Sequence, residues 1–175
     1  MTRKHFLGSL AGLAAAPLLS PFEGGTVDAA EPEERQEIPK LRKPKSEWRR
    51  LLPAAAYAVL FEADTERPFS SPLNNEKRDG VFVCAACSLP LFQSAAKFES
   101  GTGWPSFFQP IAGRVGTKRD YWMVIPRTEY HCIRCEGHQG HVFNDGPRPT
   151  GKRYCNNGLA LQFVPAGQPL PALRT

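Results

Sequence analysis

The chain has 175 residues, 41% of them apolar and 17 of them proline, which is enough apolar material for one modest core and not for two. Its formal net charge is +5, but much of the excess sits in one tract, Lys40–Arg50, with Arg35 just upstream. A basic run beside prolines reads as a solvated linker, so no nucleic-acid partner is expected from the charge.

Residues 1–29 read as an export signal. Arg3 and Lys4 form a short basic start, and Phe6–Leu19 is an apolar run too short to span a bilayer comfortably. Val27-Asp28-Ala29 offers a small-residue cleavage site. The opening Thr-Arg-Lys-His-Phe-Leu is similar to a twin-arginine signal, with Lys4 in place of the second arginine. The general export route is the alternative, and an uncleaved disordered tail is the blander reading. The expected location is the periplasm, with no stable membrane insertion once the signal is removed.

Residues 30–45, rich in Pro, Glu, Lys and Arg, read as a linker, 46–166 as the folded domain and 167–175 as a C-terminal tail. Ser46 is placed to cap a first helix carrying Trp48, Leu51 and Leu52. Pro53 suits the first position of a second, with Tyr57, Val59 and Leu60 on it. Residues 65–80, full of Pro, Ser and Asn, read as loop. After Gly80 the rhythm changes to short apolar runs closely punctuated by Gly and Pro. Val81–Val83, Tyr121–Ile125, Glu129–Cys132, Val142–Phe143 and Leu159–Phe163 are the candidate strands. The fold is expected to be mainly β with helices at the front.

Four of the five cysteines form two pairs, Cys84-Ala85-Ala86-Cys87 and Cys132-Ile133-Arg134-Cys135. Two residues between thiolates let one turn present both sulfurs to one ion, and two such turns complete a tetrahedral sulfur site that favours Zn²⁺. With all four positions filled by sulfur the ion has no place for substrate, so one structural zinc is expected, clipping two hairpins together. Iron on the same sulfurs is a minor alternative. Two disulfides are the other reading, but a bridge across so small a loop stabilises little.

Cys155 is left over, and a leftover thiol in an exported protein flags reactivity. Arg153 shares its face if the segment is a strand, and a guanidinium there favours the thiolate. His138 and His141 lie just upstream, with Asp145 beyond, and imidazoles near a thiolate can hold a polar substrate or move protons. A lone Cys is often only a small core residue, but Lys152, Arg153, Asn156 and Asn157 make these surroundings polar. Trp104, in Gly103-Trp104-Pro105-Ser106-Phe107, reads by composition as a core or turn aromatic, or as a platform for a small apolar group.

Taken together, these stretches resemble the B-type methionine sulfoxide reductases. The resemblance runs from about Trp48 to Val164 and rests on CAACSLPLF (84–92), KFESGTGWPSF (97–107), HCIRCEGHQGHVFNDGP (131–147) and RYC (153–155). It implies a barrel-like, tent-shaped fold of antiparallel sheets with short N-terminal helices. It makes Cys155 the nucleophile, Trp104 the surface that packs on the substrate methyl, and His138, His141 and Asn157 the polar side of that pocket. Arg153 would assist the thiolate, Asp145 would support the network, and Cys84, Cys87, Cys132 and Cys135 would hold the zinc. The implied reaction is reduction of the R epimer of methionine sulfoxide, chiefly in proteins, leaving a sulfenic acid on Cys155. A thioredoxin-like or other thiol then recycles a monomeric enzyme that repairs proteins under oxidative stress. Many members carry a resolving Cys where this chain has Thr102. The second position of HxGH is commonly apolar and here is Gln139. Asn156 follows the nucleophile where an apolar residue is usual. A non-catalytic zinc ribbon is the competing reading, and it leaves Cys155, both histidines and GWPSF unexplained.

Overall fold

The computed structural model describes residues 38–121 and 126–175. The export-signal reading, the linker up to residue 37 and most of the apolar run Tyr121–Ile125 lie outside the described residues.

Two short helices come first, α1 (Lys45–Leu51) and α2 (Ala54–Glu62). Pro44 and not Ser46 holds the cap of α1, because the Pro44 carbonyl accepts the first helical amides, from Glu47 (2.9 Å) and Trp48 (3.3 Å). The helix stops before Pro53, whose ring disfavours helical geometry in Leu52. Pro53 then serves as the cap of α2, one position ahead of the expected place. Trp48 is buried and stacks on Phe61 at 5.1 Å, which fixes one helix against the other. Upstream of α1, Ile38 and Leu41 pack against the core, and the Leu41 amide donates to the Arg134 carbonyl at 2.7 Å. At the far end the Arg174 amide donates to the Cys87 carbonyl at 3.2 Å.

Among the described residues nine strands follow. They are β1 (Gly80–Cys84), β2 (Pro90–Gln93), β3 (Lys97–Phe98), β4 (Ser106–Phe107), β5 (Val115–Asp120), β6 (Arg127–Cys132), β7 (His138–Phe143), β8 (Arg153–Asn156) and β9 (Leu161–Pro165). They make two antiparallel sheets, one ordered β2-β1-β9 and one ordered β3-β4-β8-β7-β6-β5. The sheets meet through aromatic rings. Phe82 and Phe92 of the smaller sheet contact Phe107 of the larger at 4.9 and 4.2 Å, and all three are fully buried. The fold is therefore mainly β with helices at the front, but the expected barrel does not close. No ladder joins the two sheets among the described residues, and the edge strand β3, with two residues, offers too few backbone groups to start one. No helix of the described residues is long and apolar enough to cross a membrane.

Candidate active site and metal centre

The two Cys-x-x-Cys segments fold as the same turn. In the β1–β2 hairpin the Cys84 amide donates to Leu89 (2.8 Å) and the Ser88 amide returns to Cys84 (2.9 Å). In the β6–β7 hairpin Cys132 donates to Gly137 (3.0 Å) and Glu136 returns to Cys132 (2.9 Å). Ser88 and Glu136, each following the second cysteine, both take left-handed backbone, with φ of 63° and 62°. The turns belong to different sheets, and they bring four buried sulfurs within 4.8 Å of one another. Cys84 and Cys135 are 3.6 Å apart, and Cys87 and Cys132 are 3.5 Å apart. Sulfurs about 2.3 Å from a central ion at tetrahedral angles would be about 3.8 Å apart, so the donor set fits a soft tetrahedral metal ion. None of the four is in a disulfide. Hydrogen bonding with Cys132, above all, holds the Cys87 thiol far below its ordinary value and pushes Cys135 far above. A metal ion held there would take the sulfurs as thiolates.

Cys155 lies on β8, inside the larger sheet. Register places it opposite His141 on β7 and Ser106 on β4. Close approach of β7 depends on Gly140, where a Cβ would collide with the Cys155 carbonyl. Beside the thiol is a cleft of about 140 Å³, lined by Thr65, Trp104, Arg127, His141, Phe143 and Asn157 as well as Cys155. Trp104 is held from behind, its indole N–H donating to the Glu66 carbonyl at 3.1 Å. Gly103 just before it has a φ of +93°, and a Cβ there would press within 2.9 Å of the Phe69 amide.

Arg153 reaches the thiol from the same strand. Both Asp145 carboxylate oxygens accept from its guanidinium at 2.9 Å, and its carbon lies 4.3 Å from the Phe143 ring centre. The sequence reading expects a lowered thiol, and the outcome differs. Burial pushes the Cys155 thiol up, and this outweighs the downward pull of Arg153 and of a Thr102 hydrogen bond.

A domain model for the SelR domain matches residues 52–165. Over 127 residues the chain is 50% identical to the peptide methionine sulfoxide reductase MsrB of Pseudomonas entomophila, covering 72% of this chain and 97% of that protein. It is 51% identical to the MsrB of Methanosarcina barkeri, over 70% of this chain and 87% of that one. It is 45% identical to the chloroplastic peptide methionine sulfoxide reductase B1 of Arabidopsis thaliana, over 78% of this chain and 67% of that one. The chain belongs to the B-type methionine sulfoxide reductases.

In this member of the family the sequence-predicted residues fall into layers. Cys155, Trp104, His141 and Asn157 meet at the cleft, while Arg153 and Asp145 support the thiol from one side. The Asn157 side chain also pins backbone, donating to the Gln139 carbonyl (3.1 Å) and accepting from the Glu66 amide (3.1 Å). His138 sits one layer deeper, buried, with its ring 5.4 Å from that of His141. Its Nδ1 is 2.9 Å from Glu129, but Lys118 engages the same carboxylate at 2.9 Å, and burial pulls the imidazole down to about 4. His141 bonds Asp120 at 2.8 Å, and Asp120 also accepts from Arg127 at 2.8 Å; burial holds His141 below its ordinary value.

The sequence reading missed Thr65, Asp120, Arg127, Glu129 and Phe143. Three of these are charges on the β5–β6 hairpin, where a charged stretch looks like solvated surface. One signal was available: Arg127 and Glu129 are two apart and share a face of a strand paired with the strand that carries both histidines.

Proposed function

We propose that the protein reduces methionine sulfoxide to methionine, acting on the R epimer in oxidised proteins and peptides, with Cys155 as the nucleophile. The observation that carries this reading is the pairing of one accessible thiol with an apolar face, Trp104, and a polar wall, His141 and Asn157, in a single small cleft. A substrate methyl set on the indole and an oxygen turned to the polar wall leave only one handedness at sulfur that presents its back to Cys155.

The thiolate attacks the sulfoxide sulfur while the oxygen takes up a proton from His141 or from a water it holds. The oxygen passes to Cys155, so the substrate sulfur gains two electrons, methionine leaves, and Cys155 remains as sulfenic acid. An external thiol then attacks the sulfenic sulfur and releases water. A second thiol of the same thioredoxin-like reductant resolves the mixed disulfide. The four-cysteine cluster holds one Zn²⁺, which supplies folding free energy and no chemistry, since its coordination is closed. The protein works as a monomer in the periplasm, delivered by the twin-arginine-like signal of residues 1–29, where it repairs proteins damaged by oxidants.

The test is consumption of resolved R and S epimers by purified protein with a small dithiol as reductant. The R epimer is consumed and the S epimer is not. Cys155→Ser abolishes turnover with metal content unchanged, because a hydroxyl is far less ionised than a thiol. Equal use of both epimers, or an active serine variant, contradicts the reading.

A further inference from the structure

Glu66 stands in the loop after α2, buried, and next in the chain to Thr65, which lines the cleft. Its carbonyl accepts from the Trp104 indole N–H at 3.1 Å, and its amide donates to the Asn157 side-chain oxygen at 3.1 Å. Its carboxylate accepts from the Gly158 amide at 2.5 Å on one oxygen and from the Leu159 amide at 3.1 Å on the other. One buried residue thus binds the apolar wall, the polar wall and the turn that follows the strand of Cys155.

We propose that Glu66 is a positioning residue whose carboxylate, anchored on the Gly158 and Leu159 amides, sets the spacing between Trp104 and Asn157; the role rests on those two side chains being the walls that hold the sulfoxide. Two successive amides match the two oxygens of one carboxylate, and an ionised acceptor makes each bond about twice as strong as a neutral one. With the side chain fixed at that end, the Glu66 backbone has one place to stand, where its carbonyl meets one wall and its amide the other. Glu66 touches the reaction only through these neighbours.

The surroundings are built for this contact. A Cβ on Gly158 would meet Ser71 Oγ at 1.9 Å and press on Glu66 Oε1 at 3.2 Å, so the approach of the loop needs a glycine there. Further along the chain, the Phe69 amide (2.7 Å) and the Asn74 side chain (3.0 Å) both donate to the Gly103 carbonyl, which ties down the residue before Trp104. Burial pushes the Glu66 carboxyl above its ordinary value, against the pull of the two amides. A buried carboxylate is a costly way to fill space, and its use here matches a need for position and not for packing.

The test reads position and turnover separately in full-length, metal-loaded protein. Position is the hydrogen-exchange rate of the Trp104 indole N–H by NMR, assigned by its loss in Trp104→Phe, with the indole of buried Trp48 as the reference. Glu66→Gln keeps the size but turns one acceptor into a donor that faces an amide. It should speed exchange at Trp104 by about tenfold or more while Trp48 keeps its parent rate. For the R epimer kcat/KM should fall about tenfold, the loss of about one charge-assisted hydrogen bond. Reactivity of Cys155 with iodoacetamide should stay near the parent value, since β4 and β7 hold that residue. Glu66→Asp keeps the charge but is one methylene short, and should fall between the parent and Glu66→Gln. An unmoved Trp104 rate or an unchanged kcat/KM in a folded Glu66→Gln overturns the proposal. So does an equal rise at both indoles, which a general loss of stability would give. Should Glu66→Gln not fold, Glu66→Asp decides by the same readings. Indole exchange needs no substrate, so a parent protein that leaves the R epimer untouched refutes the proposed reaction, while the indole rates still decide what Glu66 holds.

Discussion

Arg153 is held from two directions: it is forked onto Asp145 and laid over Phe143, and its charge pulls the Cys155 thiol down. A lysine keeps the charge but loses the planar fork and the ring contact. Arg153→Lys is therefore expected to lower kcat/KM for the R epimer on the order of tenfold, the loss of about one charge-assisted hydrogen bond. Steady-state kinetics checks this, and an unchanged value would mean that charge alone suffices. Trp104 presents its face to the cleft and ties its edge to Glu66, so Trp104→Ala removes the apolar wall and leaves the thiol in place. Here kcat/KM should fall by about tenfold or more while iodoacetamide reactivity of Cys155 stays near the parent value. Loss of both together would assign Trp104 to the support of the loop.

Strand β7 serves four tasks with four consecutive residues. His138 packs inward, the Gln139 amide donates to the Cys84 sulfur at 3.6 Å, Gly140 admits the β8 backbone, and His141 faces the cleft. His138 makes this strand sensitive to acid. Its folded value is about 4, against 6.5 for the unfolded chain, so the folded state prefers the neutral ring. Above the unfolded value both states are neutral and the contribution is complete. As pH falls from there through about 4, the unfolded chain binds the proton and the folded chain does not, and stability is lost, on the order of 3 kcal/mol for this group. Urea titrations across that window should show the loss, and His138→Gln should flatten it. An equally steep curve in the variant would place the acid sensitivity elsewhere.

The same strand shows what a sequence can and cannot carry. Val81–Val83 was legible because β-branched and aromatic residues crowd it, and Glu129–Cys132 because it runs into the second cysteine pair; both became strands leading into cysteine turns. Strand β5 was not legible. Thr117, Lys118 and Arg119 at its centre are all exposed, so no alternation marks it, and only pairing with β6 makes it a strand. Strand β4 spans two residues and owes its existence to β3 and β8. In the site, residue types at fixed spacing were legible: the two cysteine pairs, Cys155 and Arg153. Depth was not. His138 and His141 look alike in the chain, and register alone sends one behind the other.

At the scale of the whole molecule, two sheets share an aromatic core but no ladder among the described residues, and the four-cysteine cluster draws a turn from each sheet together. Binding of metal at such a site is largely folding free energy. Cys132→Ser should therefore lose metal and cost several kcal/mol, about 3 or more, read as a lower Tm and an absent zinc signal by elemental analysis. A variant with parent stability and no metal would show that the aromatic core holds the sheets alone.

The central claim is that Cys155 takes the oxygen from the sulfoxide. It is tested most directly by one turnover with the R epimer in the absence of reductant, followed by mass spectrometry of the whole protein and its peptides. The other four thiols are committed to the cluster and Thr102 cannot form a disulfide, so the oxidised nucleophile has no internal partner to resolve it. The account predicts one methionine released per protein, one oxygen on Cys155 trappable by a sulfenic-acid reagent, and zinc retained. Methionine released with no mark on Cys155, or a disulfide from Cys155 to a cluster cysteine with zinc set free, would contradict it.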